Sequence, residues 1–280
     1  MKTNDYKSGN IAKLIGTTHE ALRFYHNKNI YSPRKKGQTK YDIYSDHDLS
    51  CLYNLRSYKT LGLTLKESGE NIKNQTFESI TNNITLCKEA LEKSNQWNEI
   101  ILKRIKRLES LTLDIENSFN HIIEDSMPEI YVFSLLNNKG ITKEELIKLK
   151  ELATLTPVVL PINKVSSKYL KNTYMESTSL IGIQGEDMWF FEKYYNLSSL
   201  IEKNIIIKIQ ASKCLSSIIR IDSDNKYDDK ALKHIIEYLD NTEYVVEDEI
   251  YGSVIAVNYK RKNDMKNYDY YITWIPIKST

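Results

Sequence analysis

The spacing of apolar positions changes character along the chain, and each change marks a new element. Over residues 1–75 the apolar positions fall into short helical groups. Ile11, Leu14 and Ile15 make one amphipathic turn that Gly16 stops. Thr17 with Glu20 three residues on reads as a capping box, and Leu22 and Tyr25 share a face of a second helix from about Thr18 to Lys28. Pro33 ends that region. Residues 34–44 are basic and strand-compatible, with Gly37 as a turn residue, which predicts a short β-ribbon. Ser45–Asp48 opens a third helix that carries Leu49, Leu52, Leu55 and Tyr58. Leu61-Gly62-Leu63-Thr64 breaks it, and Thr64 caps a fourth helix toward Ile72.

Residues 78–124 contain no Pro and no Gly and read as one long helix that Met127-Pro128 ends. From Leu91 a 3,4 alternation runs through Ser94, Asn98, Ile101, Ile105, Leu108, Thr112, Ile115, Phe119 and Ile122, a heptad pattern. A helix of some 45 residues is about 65 Å long at 1.5 Å per residue. A small domain does not cover that length, so the pattern predicts a second long helix from a partner chain. Ser94 and Asn98 interrupt the apolar seam and can set its register.

Beyond residue 128 the period shortens. Strands are predicted at 130–136, 158–162, 179–183, 205–209, 215–221, 244–246, 254–259 and 270–277. Helices are predicted at 141–152, capped by Thr142, and at 228–239. The order is a β-α-β-β unit repeated twice. The fold class is therefore multidomain, α and α+β: a winged helix-turn-helix over 1–75, a long dimerisation coiled-coil helix over 76–125, and a pseudo-duplicated β-α-β-β effector domain over 126–280.

Charge sharpens this division. The chain as a whole carries only +2, but residues 1–44 hold nine basic residues against three acids, a charge of +6 that leaves −4 on the remainder. A basic head on an acidic body points to a polyanion at one end. No run of about 18 apolar residues exists, so no membrane span is expected. The first sixteen residues lack the apolar core of a signal peptide. Cys51, Cys87 and Cys214 lie far apart, which argues for reduced thiols and a cytoplasmic protein.

The second helix of such a pair fits the major groove, about 12 Å wide, with its N-terminal side chains at base edges. Here those are Thr18, His19 and Arg23. The ribbon's Arg34, Lys36 and Lys40 would neutralise phosphates and release counterions. Twenty tyrosines are the other departure from average composition. In the C-terminal region Tyr131, Tyr169, Tyr174, Trp189, Phe190, Tyr251, Tyr270 and Trp274 provide faces that stack flat organic molecules or attract cations. Glu186, Asp187 and Glu192 flank one aromatic run. Catalytic motifs of the HExxH, GxSxG, P-loop and CxxC types are absent, and no paired thiols or histidines suggest a metal or cofactor.

The segments SGNIAKLIGTTHEALRFYHNKNIYSP and KYDIYSDHDLSCLYNLRSYKTLGLTLKES resemble the N-terminal domain of the MerR family of transcription regulators. Leu22-Arg23-Phe24-Tyr25, Pro33, Tyr41, Tyr44 and Leu61-Gly62-Leu63-Thr64-Leu65 carry the likeness. Carried over by position, Arg23, Tyr25 and Tyr41 become DNA contacts, with His19, Lys36, Lys40 and Lys59 beside them. The wing signature departs from the family at two places: Lys40 stands for its Gly and Asp42 for its Arg, and an acid there repels phosphate unless Lys40 compensates. The resemblance implies a homodimer on promoter double-stranded DNA that acts on RNA polymerase through the shape of the DNA.

More loosely, residues 129–278 resemble the GyrI-like effector domain of multidrug-binding regulators, through the GSVIAV stretch and the strand from Tyr270 to Ile277. The resemblance implies an aromatic-lined pocket for an amphipathic, often cationic small-molecule effector, with a buried Glu for charge. The alignment puts Ala256 at that Glu, which predicts neutral or less cationic ligands, or another acid in its place. Two other functions fit less well: a protein that sequesters the compound with weakened DNA binding, and a GyrI-like hydrolase.

Overall fold

The computed structural model describes residues 5–33, 42–73, 76–113, 115–136, 140–170, 177–222, 229–247, 249–259 and 267–279. It separates into two compact units, Met1–Asn95 and Gln96–Thr280.

The first unit is helical. Strand β1 (Tyr6–Lys7) leads into α1 (Ser8–Leu14), and α2 (His19–Asn27) follows across a tight turn. Gly16 makes that turn at φ +63°, a conformation that costs an L-residue with a side chain about 1 kcal/mol or more. The cap of α2 is Thr18 rather than Thr17: the Thr18 hydroxyl accepts from the Ala21 amide at 3.1 Å. The chain returns through β2 (Ile43–Tyr44), which pairs antiparallel with β1. The predicted ribbon thus reaches the described residues as the partner of the N-terminal strand, and its residues 34–41 lie outside them. Helix α3 (Asp46–Thr60) starts on a Ser45–Asp48 capping box, and α4 (Leu65–Lys73) starts on Thr64, whose amide donates to Glu67 at 2.8 Å. Ile11, Ala12, Ile15, Leu22, Tyr44 and Leu52 form the core.

Helix α5 (Phe77–Leu113) follows as 37 residues without a break, about 55 Å at 1.5 Å per residue. It ends earlier than the heptad pattern predicts. A short helix α6 (Ile115–Ser118) follows, Asn120 turns the chain at φ +61°, and Ile122 lies in strand β3 (Ile122–Met127). Met127-Pro128 therefore ends a strand, not the helix. Ile115 and Phe119 belong to a buried cluster with Ile218 and Tyr270. Their apolar spacing reflects packing within the unit, and the β-branched Ile122-Ile123 pair joins an open sheet ladder.

The second unit is built on a nine-stranded antiparallel sheet. After β3 come β4 (Ile130–Phe133), α7 (Lys143–Ala153), β5 (Leu160–Ser166), β6 (Ser177–Gln184), α8 (Met188–Tyr195), α9 (Ser198–Glu202) and β7 (Ile207–Ile209). The chain continues through β8 (Ser212–Asp222), α10 (Asp229–Asp240), β9 (Tyr244–Val246), β10 (Glu249–Tyr259) and β11 (Tyr268–Ser279). The sheet order is β3-β8-β11-β10-β5-β6-β4-β7, with β9 on β11. Alternation sends successive residues to opposite faces. On β4, Tyr131 and Phe133 join the helix-covered core with Leu149, Phe190 and Phe191, while Ile130 and Val132 face the other side with Leu160, Ile162, Tyr251 and Trp274. The aromatic run at 188–195, which the period-2 reading left without an element, is helix α8.

Candidate DNA-binding domain and ligand pocket

Helix α2 buries Leu22 and half-buries Tyr25 against the core, and it exposes His19, Arg23, Phe24 and Asn27. Thr18 serves as the cap described above. Lys59 is exposed in the last turn of α3. The candidates Arg34, Lys36, Lys40 and Tyr41 lie outside the described residues.

Two polar contacts fix how α2 is presented. Arg56 of α3 donates to the Gly16 carbonyl at 2.7 Å and also to the Ile15 carbonyl, which closes the end of α1 at the turn. A Cβ added at Gly16 would stand 2.6 Å from the Arg56 Nη1. Beneath the domain Asp48 is buried. Burial pushes its carboxyl upward, but the Ser45 amide, the Tyr31 hydroxyl and the Ser45 hydroxyl donate to it and hold it below the usual carboxylate range. Tyr44, beside Asp42 and Asp48, is pushed up to about 12, first by burial and then by those two carboxylates. Arg56 does not stand out in the sequence, because the carbonyls it holds lie 40 and 41 positions away, and the Asp48–Tyr31 contact is hidden likewise, whereas the Ser45–Asp48 cap is local.

In the second unit a cavity of about 480 Å³ is lined by residues of both clusters, Phe133, Ile141 and Ile205 from the helix-covered core and Val132, Leu180, Ile209 and Tyr251 from the other face. Its apolar wall includes Val132, Ile141, Leu180, Ile205, Ile207 and Ile209, with Tyr251 at the side. Tyr251 is also shared with a smaller cavity of about 260 Å³ that holds Glu247 and Glu249. Of the aromatic candidates, Tyr251 is the one on the larger cavity's wall. Tyr131 and Phe190 are core residues under the helices. Trp274 and Tyr270 are fully buried in two other clusters, and Trp189 is exposed on α8. Ala256 stands opposite Tyr270 on β10 and is half-buried. Tyr174 and the Tyr169 side chain lie outside the described residues.

Sequence reasoning missed the charged part of the wall, Lys164 and Lys203. The signal for Lys164 was present: it lies at i+4 from Leu160 and i+2 from Ile162, on the same face of β5. The flanking acids have other partners. Glu186 pairs with Lys103 at 2.5 Å. Asp187 is buried, which raises its carboxyl, and it faces Lys103, Arg104 and Arg107. These basic residues belong to α5, whose Trp97 stacks on Phe190 at 5.3 Å. Arg107 donates to Gln184 at 3.1 Å. Strand β6 thus lines the cavity with Thr178 and Leu180 and is fastened to α5 at its other end. Buried Cys214 has its thiol pushed up to about 12 by burial, which leaves it unreactive. No group of three His, Cys, Asp or Glu suited to a metal occurs among the described residues, and no described helix is long and apolar enough to cross a membrane.

Two short helices across a glycine turn, with a polar second helix exposed, define a helix-turn-helix domain. Comparison with known proteins makes that class specific. Residues 6–75 match the family described as MerR HTH family regulatory protein, so the N-terminal domain is of the MerR type. The HTH-type transcriptional regulator CueR of Escherichia coli O157:H7 is 37% identical over 60 residues, 21% of this chain and 44% of the relative. The chain thus spans under half the length of the curated relatives it matches. Among solved structures, the chain in the EcmrR–DNA complex of EcmrR-RPo is 14% identical, with 98% of this chain and 100% of that one covered at a TM-score of 0.37. HiNmlR, a MerR family regulator lacking the sensor domain and bound to promoter DNA, is 22% identical over 41% of this chain and 88% of that one, with a TM-score of 0.29.

Proposed function

We propose that the chain is a ligand-responsive transcription regulator. The MerR-type domain binds promoter DNA, α5 joins two copies, and the second unit senses a small molecule. The observation that carries this reading is the match over residues 6–75, together with the exposed α2 surface of His19, Arg23 and Asn27. Ile84, Leu91 and Ile105 stay exposed on α5 at heptad-compatible spacing, which supports pairing with a second copy.

The second unit fits a GyrI-like effector domain. The order β4-α7-β5-β6 recurs as β8-α10-β10-β11 with the short strand β9 inserted before β10, and the sheet sets the two strand trios side by side through the β5–β10 pair. An apolar cavity of about 480 Å³ lies in the size range of small-molecule sites. Ligand in that cavity acts on β6, and α5 is held by Gln184 at the end of β6, through Arg107, and by Glu186 just beyond it, through Lys103. A ligand that fits one arrangement of this linkage better shifts the population of DNA-bound states by its differential affinity. By resemblance the bound DNA is bent and untwisted, at a cost of order 1–6 kcal/mol. Footprinting on the DNA upstream of the chain's own coding sequence tests the reading: a protected site at physiological salt is expected, and no protection overturns it.

A further inference from the structure

Among the described residues the charge on the wall of the larger cavity is all of one sign: its fixed charges are Lys164 and Lys203, and no described carboxylate lines it. Each lysine is anchored by an acid that stands off that wall. Lys164 Nζ donates to Glu249 Oε1 at 3.1 Å, and Lys203 Nζ donates to Glu145 Oε1 at 2.6 Å. Glu145 is itself fixed, because it closes the capping box of α7: its Oε2 accepts from the Thr142 amide at 2.9 Å, and its own amide donates to the Thr142 hydroxyl at 3.2 Å. Lys203, then the Thr142 amide, hold the Glu145 carboxyl down at about 2, so this anchor stays charged through the working pH range.

An ammonium has three N–H donors, and each of these bonds uses one. The remaining donors can serve an acceptor in the cavity without disturbing the anchors. A cation in the same space would meet two ammonium groups and, among the described lining residues, no carboxylate of its own. The rest of the wall, Val132, Ile141, Leu180, Ile205, Ile207 and Ile209, buries an apolar body.

We propose that the cavity selects amphipathic monoanions: a carboxylate or sulfonate, held by Lys164 and Lys203, on a compact apolar body. This rests on the sensor reading above and reverses the ligand charge that the resemblance implies. The test is calorimetric titration of the full chain with a matched naphthalene series: 2-naphthalenesulfonate, the neutral 2-(methylsulfonyl)naphthalene, and trimethyl(2-naphthyl)ammonium. The sulfonate is expected to bind about tenfold tighter than the sulfone, with the cation weakest. Lys203→Met should weaken the sulfonate about fivefold or more and leave the sulfone within about twofold, which also shows that the variant is folded. Lys203→Arg should retain sulfonate binding. A cation that binds tighter than the sulfonate, or a Lys203→Met variant that binds the sulfonate as the parent does, overturns the proposal and leaves the sensor reading standing. Failure of all three compounds to bind overturns both.

Discussion

Gly16 shows how one residue sets the geometry of the candidate DNA-binding surface. Its positive φ makes the turn between α1 and α2, and its carbonyl, with that of Ile15, takes the Arg56 guanidinium. A methyl at this position strains the backbone and displaces Arg56 from the carbonyls it closes. Gly16→Ala is expected to cost about 1–2 kcal/mol of local stability. Hydrogen exchange in α1 and α2 measures it: the amides there should open more readily, and unchanged protection would show that the turn tolerates a side chain. At the same scale the charged anchors of the cavity depend on local rules. The Thr142–Glu145 box is readable from the sequence, but its second use, holding Lys203 across 58 positions, is not.

At the scale of elements, α5 presents apolar residues on two faces. Its C-terminal part packs Trp97, Ile100 and Ile101 into the core of the second unit, while Leu91 and Ile105 are about half exposed at 51% and 49%. The heptad pattern mixes the two. Its first members face away from the chain's own core, and its last, Ile115 and Phe119, are consumed by packing on β8 and β11. If two copies meet on the exposed face, Leu91→Asp should turn dimer into monomer in sedimentation at micromolar concentration without loss of helix. A variant that sediments as the parent does would place the interface elsewhere.

Legibility followed the range of the interactions. Capped helices in both units were readable because Ser45, Thr64 and Thr142 act within three residues. Strand β3 and helix α8 were not, since a sheet ladder with β8 and the burial of Phe190 and Phe191 decide them from afar. The DNA-contact candidates on α2 followed from local spacing. The cavity did not: aromatic residues drew attention, yet most fill cores, and the wall is mainly aliphatic, with two lysines, Phe133 and Tyr251.

For the whole molecule, the uneven charge is the feature that ties sequence to function. Residues 1–44 carry +6 in a chain of +2, so a dimer presents two basic heads. Asp42, whose carboxylate helps to push the Tyr44 hydroxyl up, works against this charge. A protein that meets phosphates this way loses affinity as salt displaces it, with a slope set by the number of phosphates neutralised. The most direct test of the account is the affinity of the full chain for its upstream DNA, titrated between about 50 and 200 mM salt, for the parent and for Arg23→Ala. The account predicts specific binding with a steep negative dependence of log K on log salt, weakened about tenfold or more by Arg23→Ala. A flat salt dependence, or an Arg23→Ala variant that binds as tightly as the parent, would contradict it.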